Sequence, residues 1–209
     1  DLSGIAVFSS MYSKQIVDSK GRPIAVVRPI SEDLDLNIIA QMAQNIQILS
    51  GLLELAISRL IEKYSPDDLC GEFKEAPLIE EETFFGVRIA IEAYYKKDYF
   101  GCAYILMPQI EALIRRLAEL IGISILQQNN EQGYDYRGLG NLLYDPVIVN
   151  ALGEDFSLFC RVLLIDRKGL NFRHDMLHGI TPVKNVGKLQ CNWLLYLVFF
   201  LSMMREKND

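Results

Sequence analysis

The only two histidines of the chain, His174 and His178, lie in one short segment, Gly169-Leu170-Asn171-Phe172-Arg173-His174-Asp175-Met176-Leu177-His178-Gly179, just after Arg167 and Lys168. An imidazole is the side chain best suited to accepting and donating a proton near neutral pH, because its ordinary pKa is ~6.5. A guanidinium is a permanent, forked cation suited to phosphate oxygens. Three chemistries compete for this grouping. In the first, Arg173 and His178 cleave RNA without a metal. The ribose 2′-hydroxyl attacks the adjacent phosphate, leaving a 2′,3′-cyclic phosphate and a 5′-hydroxyl.

Spacing constrains that reading. Residues five apart on an ideal helix differ by ~140° in direction and ~7.5 Å in rise, so Arg173 and His178 do not share a face. Either the helix end at Gly179 distorts, or a second copy brings its own motif to a two-fold axis. The second chemistry is a metal site. His174 and His178 are four apart and do share a face, and His-Asp-x-x-His imitates the zinc-protease pattern. A third ligand would then be needed, and the downstream candidates are Glu206 and Asp209. The third reading is structural: a polar segment holding a loop, with Asp175 capping it or pairing with Arg173 or Arg167.

The elements that must carry these residues are helical. Apolar residues recur at three- and four-residue steps from about 33 to 64, with Asp33 and Asp35 at the expected amino-terminus. A second helix is expected over 82–97. A third, capped by Asp98, runs over 99–121 and is ended by Gly122, with Pro108 expected to kink or divide it. Shorter pieces follow at 139–144, 147–152 and 156–165. The acidic stretch 66–77 and the polar stretch 127–137 read as loops. Residues 1–30 differ: runs at 4–8, 15–17 and 24–27 are β-prone, and Ser19-Lys20-Gly21 signals a turn, so a hairpin arm is expected. The apolar run 189–204 is shorter than the ~20 residues a membrane span needs, and reads as a buried or dimer-interface helix.

Composition bounds the rest. The chain has 209 residues, half of them apolar, enough for a sizeable core. It carries a net charge of −6, which argues against a protein that merely coats nucleic acid. Charge is uneven, however: between Phe159 and Gln190, six basic residues (Arg161, Arg167, Lys168, Arg173, Lys184 and Lys188) face only Asp166 and Asp175. Cys70, Cys102, Cys160 and Cys191 form no close pair, and read as reduced, buried thiols of a cytoplasmic protein. The first residue is Asp1, which reads as a piece of a longer protein with an upstream domain.

At the histidine motif the sequence resembles the HEPN superfamily, and within it the branch marked by Arg-Asn-x-x-x-His-Gly, which includes the domain in the endoplasmic reticulum membrane-associated RNA degradation protein. Pro108-Gln109-Ile110-Glu111-Ala112-Leu113-Ile114-Arg115 looks like the branch's Pro-x-x-Glu-x-x-x-Arg helix, and Leu139-Gly140-Asn141-Leu142-Leu143 like its Leu-Gly-x-Leu-Leu segment. The likeness covers roughly residues 84–204. It implies an all-α fold, a HEPN-like helical bundle over 81–209; the residue patterns above place before it the hairpin arm (1–30) and an extra long helix with an acidic loop (31–80).

The resemblance also implies a metal-independent endoribonuclease with no cofactor, acting at a dimer interface. Arg173 and His178 inherit the catalytic roles, and His174 stands where the branch has Asn, able either to add a second proton-transfer group or to disturb the first. Supporting roles fall to Asn171, Asp175, Glu111 and Arg115; Glu111 and Arg115 are an i, i+4 ion pair by spacing, one of which could orient Arg173. Arg167, Lys168 and Lys184 are the candidate RNA contacts. The expected partners are single-stranded RNA and a second copy of the chain, with neither DNA nor a membrane expected. The alternative is a module that binds RNA or a nucleotide, or dimerises, and does no chemistry.

Overall fold

A computed structural model describes residues 11–17 and 21–205. The chain is mostly helical. It divides into two compact units: Asp1–Ile48 with Glu154–Thr181, and Leu49–Gly153 with Pro182–Asp209.

The first unit holds an antiparallel hairpin of β1 (Lys14–Val17) and β2 (Pro23–Val27), registered Lys14 to Val27 and Gln15 to Val26, with an irregularity at Ile16/Val17. The β-prone runs at 15–17 and 24–27 thus pair as the sequence suggests; the run at 4–8 and most of the turn lie outside the described residues. Helix α1 (Leu34–Lys63) begins here and crosses into the second unit. Asp33 caps it by accepting from the Leu36 N–H at 3.0 Å, which satisfies an otherwise orphaned donor.

The second unit is built on three helices. They are α3 (Glu81–Tyr95), α4 (Tyr99–Leu120) and α9 (Lys188–Ser202), with α4 packed on both of the others. Along α4 the buried residues Cys102, Ala103, Leu106, Met107, Ile110, Leu113, Ile114, Leu117 and Ala118 form one apolar stripe. In α9 the residues from Cys191 to Leu195 are all buried, with Leu197, Val198 and Leu201. This is the buried helix expected of the 189–204 run. No helix among the described residues is long and apolar enough to cross a membrane.

Junctions follow from local chemistry. Helix α3 ends with Lys97 in the left-handed region (φ 62°). The N–H of Lys97 and that of Asp98 return to Tyr94 and Ala93, a Schellman turn. The Asp98 carboxylate then accepts from Gly101 N–H at 2.9 Å and starts α4. Helix α4 continues through Pro108 as one helix, so the proline does not divide it. The same kind of turn stops α4, with Gly122 at φ 77°.

Two stretches read as loops contain structure. Within 66–77, α2 (Pro66–Gly71) forms because Ser65 and Asp68 make reciprocal cap bonds, Asp68 N–H to Ser65 Oγ and Ser65 N–H to Asp68 Oδ2, with Pro66 in the first turn. Within 127–137, β3 (Leu126–Gln128) and β4 (Tyr134–Tyr136) pair antiparallel. Short helices α5 (Leu139–Leu143) and α6 (Pro146–Leu152) follow in the same unit. Helices α7 (Glu154–Leu164) and α8 (Phe172–Leu177) return to the first.

Candidate active site

The histidine segment forms α8 and the turns on either side of it. Its approach from α7 is tight. The Val162 carbonyl accepts from Leu170 N–H at 2.7 Å and from Asn171 N–H at 3.4 Å. A Cβ on Gly169 would overlap that same carbonyl oxygen, so only glycine lets the chain pass there. Asn171 then adopts the left-handed conformation at φ 51°, which asparagine tolerates better than most residues. Phe172 and Met176 are buried, four apart, and anchor one face of α8.

The exit is a second defined turn. Gly179 N–H donates to Met176 O at 3.2 Å and Ile180 N–H to Asp175 O at 2.8 Å, with Gly179 at φ 65°. This is a Schellman motif with glycine in the left-handed position. It stops the helix at Leu177 and leaves His178 as the C-cap, exposed, with its own N–H bonded to His174 O at 3.0 Å. The Gly after His therefore has a backbone role: it fixes where the helix stops and hence where the imidazole stands.

Between these ends sit the polar side chains. The rings of His174 and His178 pack together with centroids 4.4 Å apart and planes at 47°. Arg173, His174 and Asp175 are half-buried. Asn171 is 7% exposed, donates from Nδ2 to Asp175 Oδ1 at 2.9 Å, and its Oδ1 finds no donor among the described residues. Burial pushes the Asp175 carboxyl above the ordinary carboxylate range, against the pull of neighbouring His174 and the Asn171 hydrogen bond.

Arg167 and Lys168 lie in the turn before the motif, where the Asp166 carboxylate accepts the Lys168 N–H at 2.8 Å. The structure thus brings Arg167, Lys168, Asn171, Arg173, His174, Asp175 and His178 into one connected segment of the first unit. Glu111, Arg115 and Lys184 belong to the second unit. There Glu111 and Arg115 form the ion pair their spacing suggests, and Lys184 lies in a single 3₁₀ turn, Val183–Asn185. Among the described residues no three of His, Cys, Asp and Glu are grouped to hold a metal ion; Glu206 and Asp209 lie outside those residues. Gly169 and Phe172 stand in the segment that carries the family resemblance and Met176 does not stand out, but the part each plays depends on the Val162 carbonyl or on what it buries against, which the sequence does not display.

No family model, curated protein or solved structure matches the chain.

Proposed function

We propose that the chain is a metal-independent endoribonuclease of HEPN type that cuts single-stranded RNA as a homodimer. The observation that carries this reading is the exposed His178 imidazole, capped onto the end of α8 and packed against His174, in the helix that also bears Arg173. His178 exchanges protons with the ribose 2′-hydroxyl or the departing 5′-oxygen, and Arg173 holds the non-bridging phosphate oxygens as their charge grows. The products are a 2′,3′-cyclic phosphate and a 5′-hydroxyl end.

Arg173 and His178 are five apart along α8 and its C-cap, so they do not share a helix face. A second copy across a two-fold axis brings its own pair to the same phosphate, Arg173 from one copy acting with His178 of the other, which is why the reading includes a symmetric dimer. The four buried, free cysteines fit a reducing, cytoplasmic setting.

The test is cleavage of a labelled single-stranded RNA in EDTA. The wild-type chain should cut it, and Arg173→Ala and His178→Ala should each abolish cutting while circular dichroism stays unchanged. Mixing the two inactive variants should restore part of the activity, because one of the two composite sites in a mixed dimer regains both residues. Cutting retained by either variant alone overturns the assignment. Bound but uncut RNA would make the chain a binding module.

A further inference from the structure

Every residue of the β3–β4 ribbon is exposed, on both of its faces. Its register pairs Leu126 with Tyr136, Gln127 with Asp135 and Gln128 with Tyr134. Side chains alternate along a strand, so Leu126, Gln128, Tyr134 and Tyr136 share one face, and Gln127 and Asp135 the other. In most ribbons the aromatic face is the one that packs. Here Tyr134 is 70% and Tyr136 65% exposed. On the other face Gln127 Oε1 accepts from Asn141 Nδ2 at 3.0 Å, a bond that reaches outside the ribbon, and Asp135 Oδ1 accepts from Asn129 Nδ2 at 3.2 Å within it.

The ribbon is also held stiff at both ends. At its base Arg137 bonds the Ser124 and Asn141 carbonyls and forms a 2.9 Å ion pair with Asp145, with Arg137 N–H continuing the ladder to Ile125 O. That pairing keeps the Asp145 carboxyl below the usual carboxylate range. At its tip Asn129 Oδ1 accepts from the Glu131 and Gly133 N–H groups. Two exposed aromatic rings on a preorganised support lose little freedom when something lies on them. One cation stands beside them, with the Arg115 guanidinium 5.6 Å from the centre of the Tyr136 ring.

We infer that this ribbon is a stacking platform for unpaired bases of single-stranded RNA. Tyr134 and Tyr136 are ~6.8 Å apart along the strand, so each ring can take a base of its own. Every base has a flat face, which makes such stacking tolerant of sequence. Gln128, on the same face, has both a donor and an acceptor for a base edge. Arg115, its charge partly offset by Glu111, adds a cation for the phosphodiester. Asp135, the acidic side chain of β4, lies on the opposite face. A proline-rich peptide is a poorer fit, because it docks into a groove between aromatic walls, and a two-stranded ribbon has no such walls.

The inference rests on the proposal that the chain acts on RNA, and its failure can be told from that proposal's. The experiment measures binding of fluorescein-labelled 12-nucleotide oligouridylate, oligoadenylate and an abasic ribose-phosphate 12-mer to the full His178→Ala chain by anisotropy. Tyr134→Ala and Tyr136→Ala should each weaken binding of both base-bearing strands by roughly five- to a hundred-fold, while Tyr134→Phe and Tyr136→Phe retain it. The abasic strand should bind weakly and respond to none of these changes. Equal binding of abasic and base-bearing strands overturns the platform, as does affinity unchanged by both alanine variants. A change in sedimentation with unchanged RNA affinity also overturns it, since the ribbon would then be a face between copies. If the ribonuclease reading alone is wrong, the wild-type chain leaves RNA intact in EDTA while the tyrosine-dependent binding remains.

Discussion

Asn171 donates its side-chain amide to the Asp175 carboxylate at 2.9 Å, one turn along the chain, and that carboxyl is pushed up by burial. An acid whose folded pKa exceeds its unfolded value (~3.9 for Asp) binds its proton more tightly in the folded state. Folding stability from this group is therefore highest below ~3.9 and falls as pH rises through the raised folded value. Asp175→Asn keeps an acceptor for Asn171 and removes the titration. Its melting temperature should exceed that of the wild type at pH 7, and the difference should shrink as pH is lowered to ~3.9. A difference that stays constant over that range would mean burial of the carboxylate is not what costs stability here.

His178 is the exposed C-cap of α8, while His174 is half-buried within it. Under the proposed chemistry the exposed ring moves the proton and the other supports it. His178→Ala should remove detectable cleavage, a loss of at least the ~10²–10⁴-fold usual for a general acid or base. His174→Asn, which keeps a polar group and removes the second imidazole, should cost less, and the pH–rate profile should keep its shape. Single-turnover cleavage across pH 5–9 checks both. Equal losses in the two variants would assign the histidines equal roles.

The long elements were legible because burial and periodicity agree in them. The apolar stripe of α4 and the Asp98 and Gly122 stops are visible as letters before any fold is known. Helix α2 was not legible, because Pro66-Asp67-Asp68 reads as loop by composition and the helix depends on a side-chain cap that Ser65 makes only in one conformation. The ribbon was hidden for the opposite reason: its aromatic residues face outward, so no buried alternation marks it, and Tyr134-Asp135-Tyr136 is too short for a period of two to stand out. In the site, the histidine spacing foreshadowed the contact between the two rings. The close pass of Gly169 over Val162 and the left-handed Asn171 were not foreshadowed, because they involve a carbonyl of another helix.

Gly169 passes so close to the Val162 carbonyl that a methyl group has no room. Backbone cannot yield as a flexible side chain can, so Gly169→Ala should cost about 1–3 kcal/mol, typical of overpacking. The strain falls on the turn that leads into Arg173 and His174, so cleavage should drop along with stability. Urea denaturation measures the first and single-turnover cleavage the second. A Gly169→Ala chain of wild-type stability would show that α7 and α8 can separate freely at this point.

In the second unit the Tyr94 hydroxyl donates to Asn192 Oδ1 at 2.7 Å, both groups buried, linking α3 to α9. Burial pushes the phenol pKa further up from its ordinary value, so the hydroxyl stays a donor throughout the stable pH range. Tyr94→Phe removes the donor and leaves a buried carbonyl oxygen unpaired, which should cost about 1–3 kcal/mol. Asn192→Leu alone strands the hydroxyl in the same way. Combining the two replaces a polar pair by apolar contact and should recover much of the loss, so the double variant should be more stable than the sum of the single changes predicts. A thermodynamic cycle by urea denaturation reads that coupling directly. Strict additivity would mean that this hydrogen bond contributes nothing to holding α9 against α3, and that apolar packing alone does so.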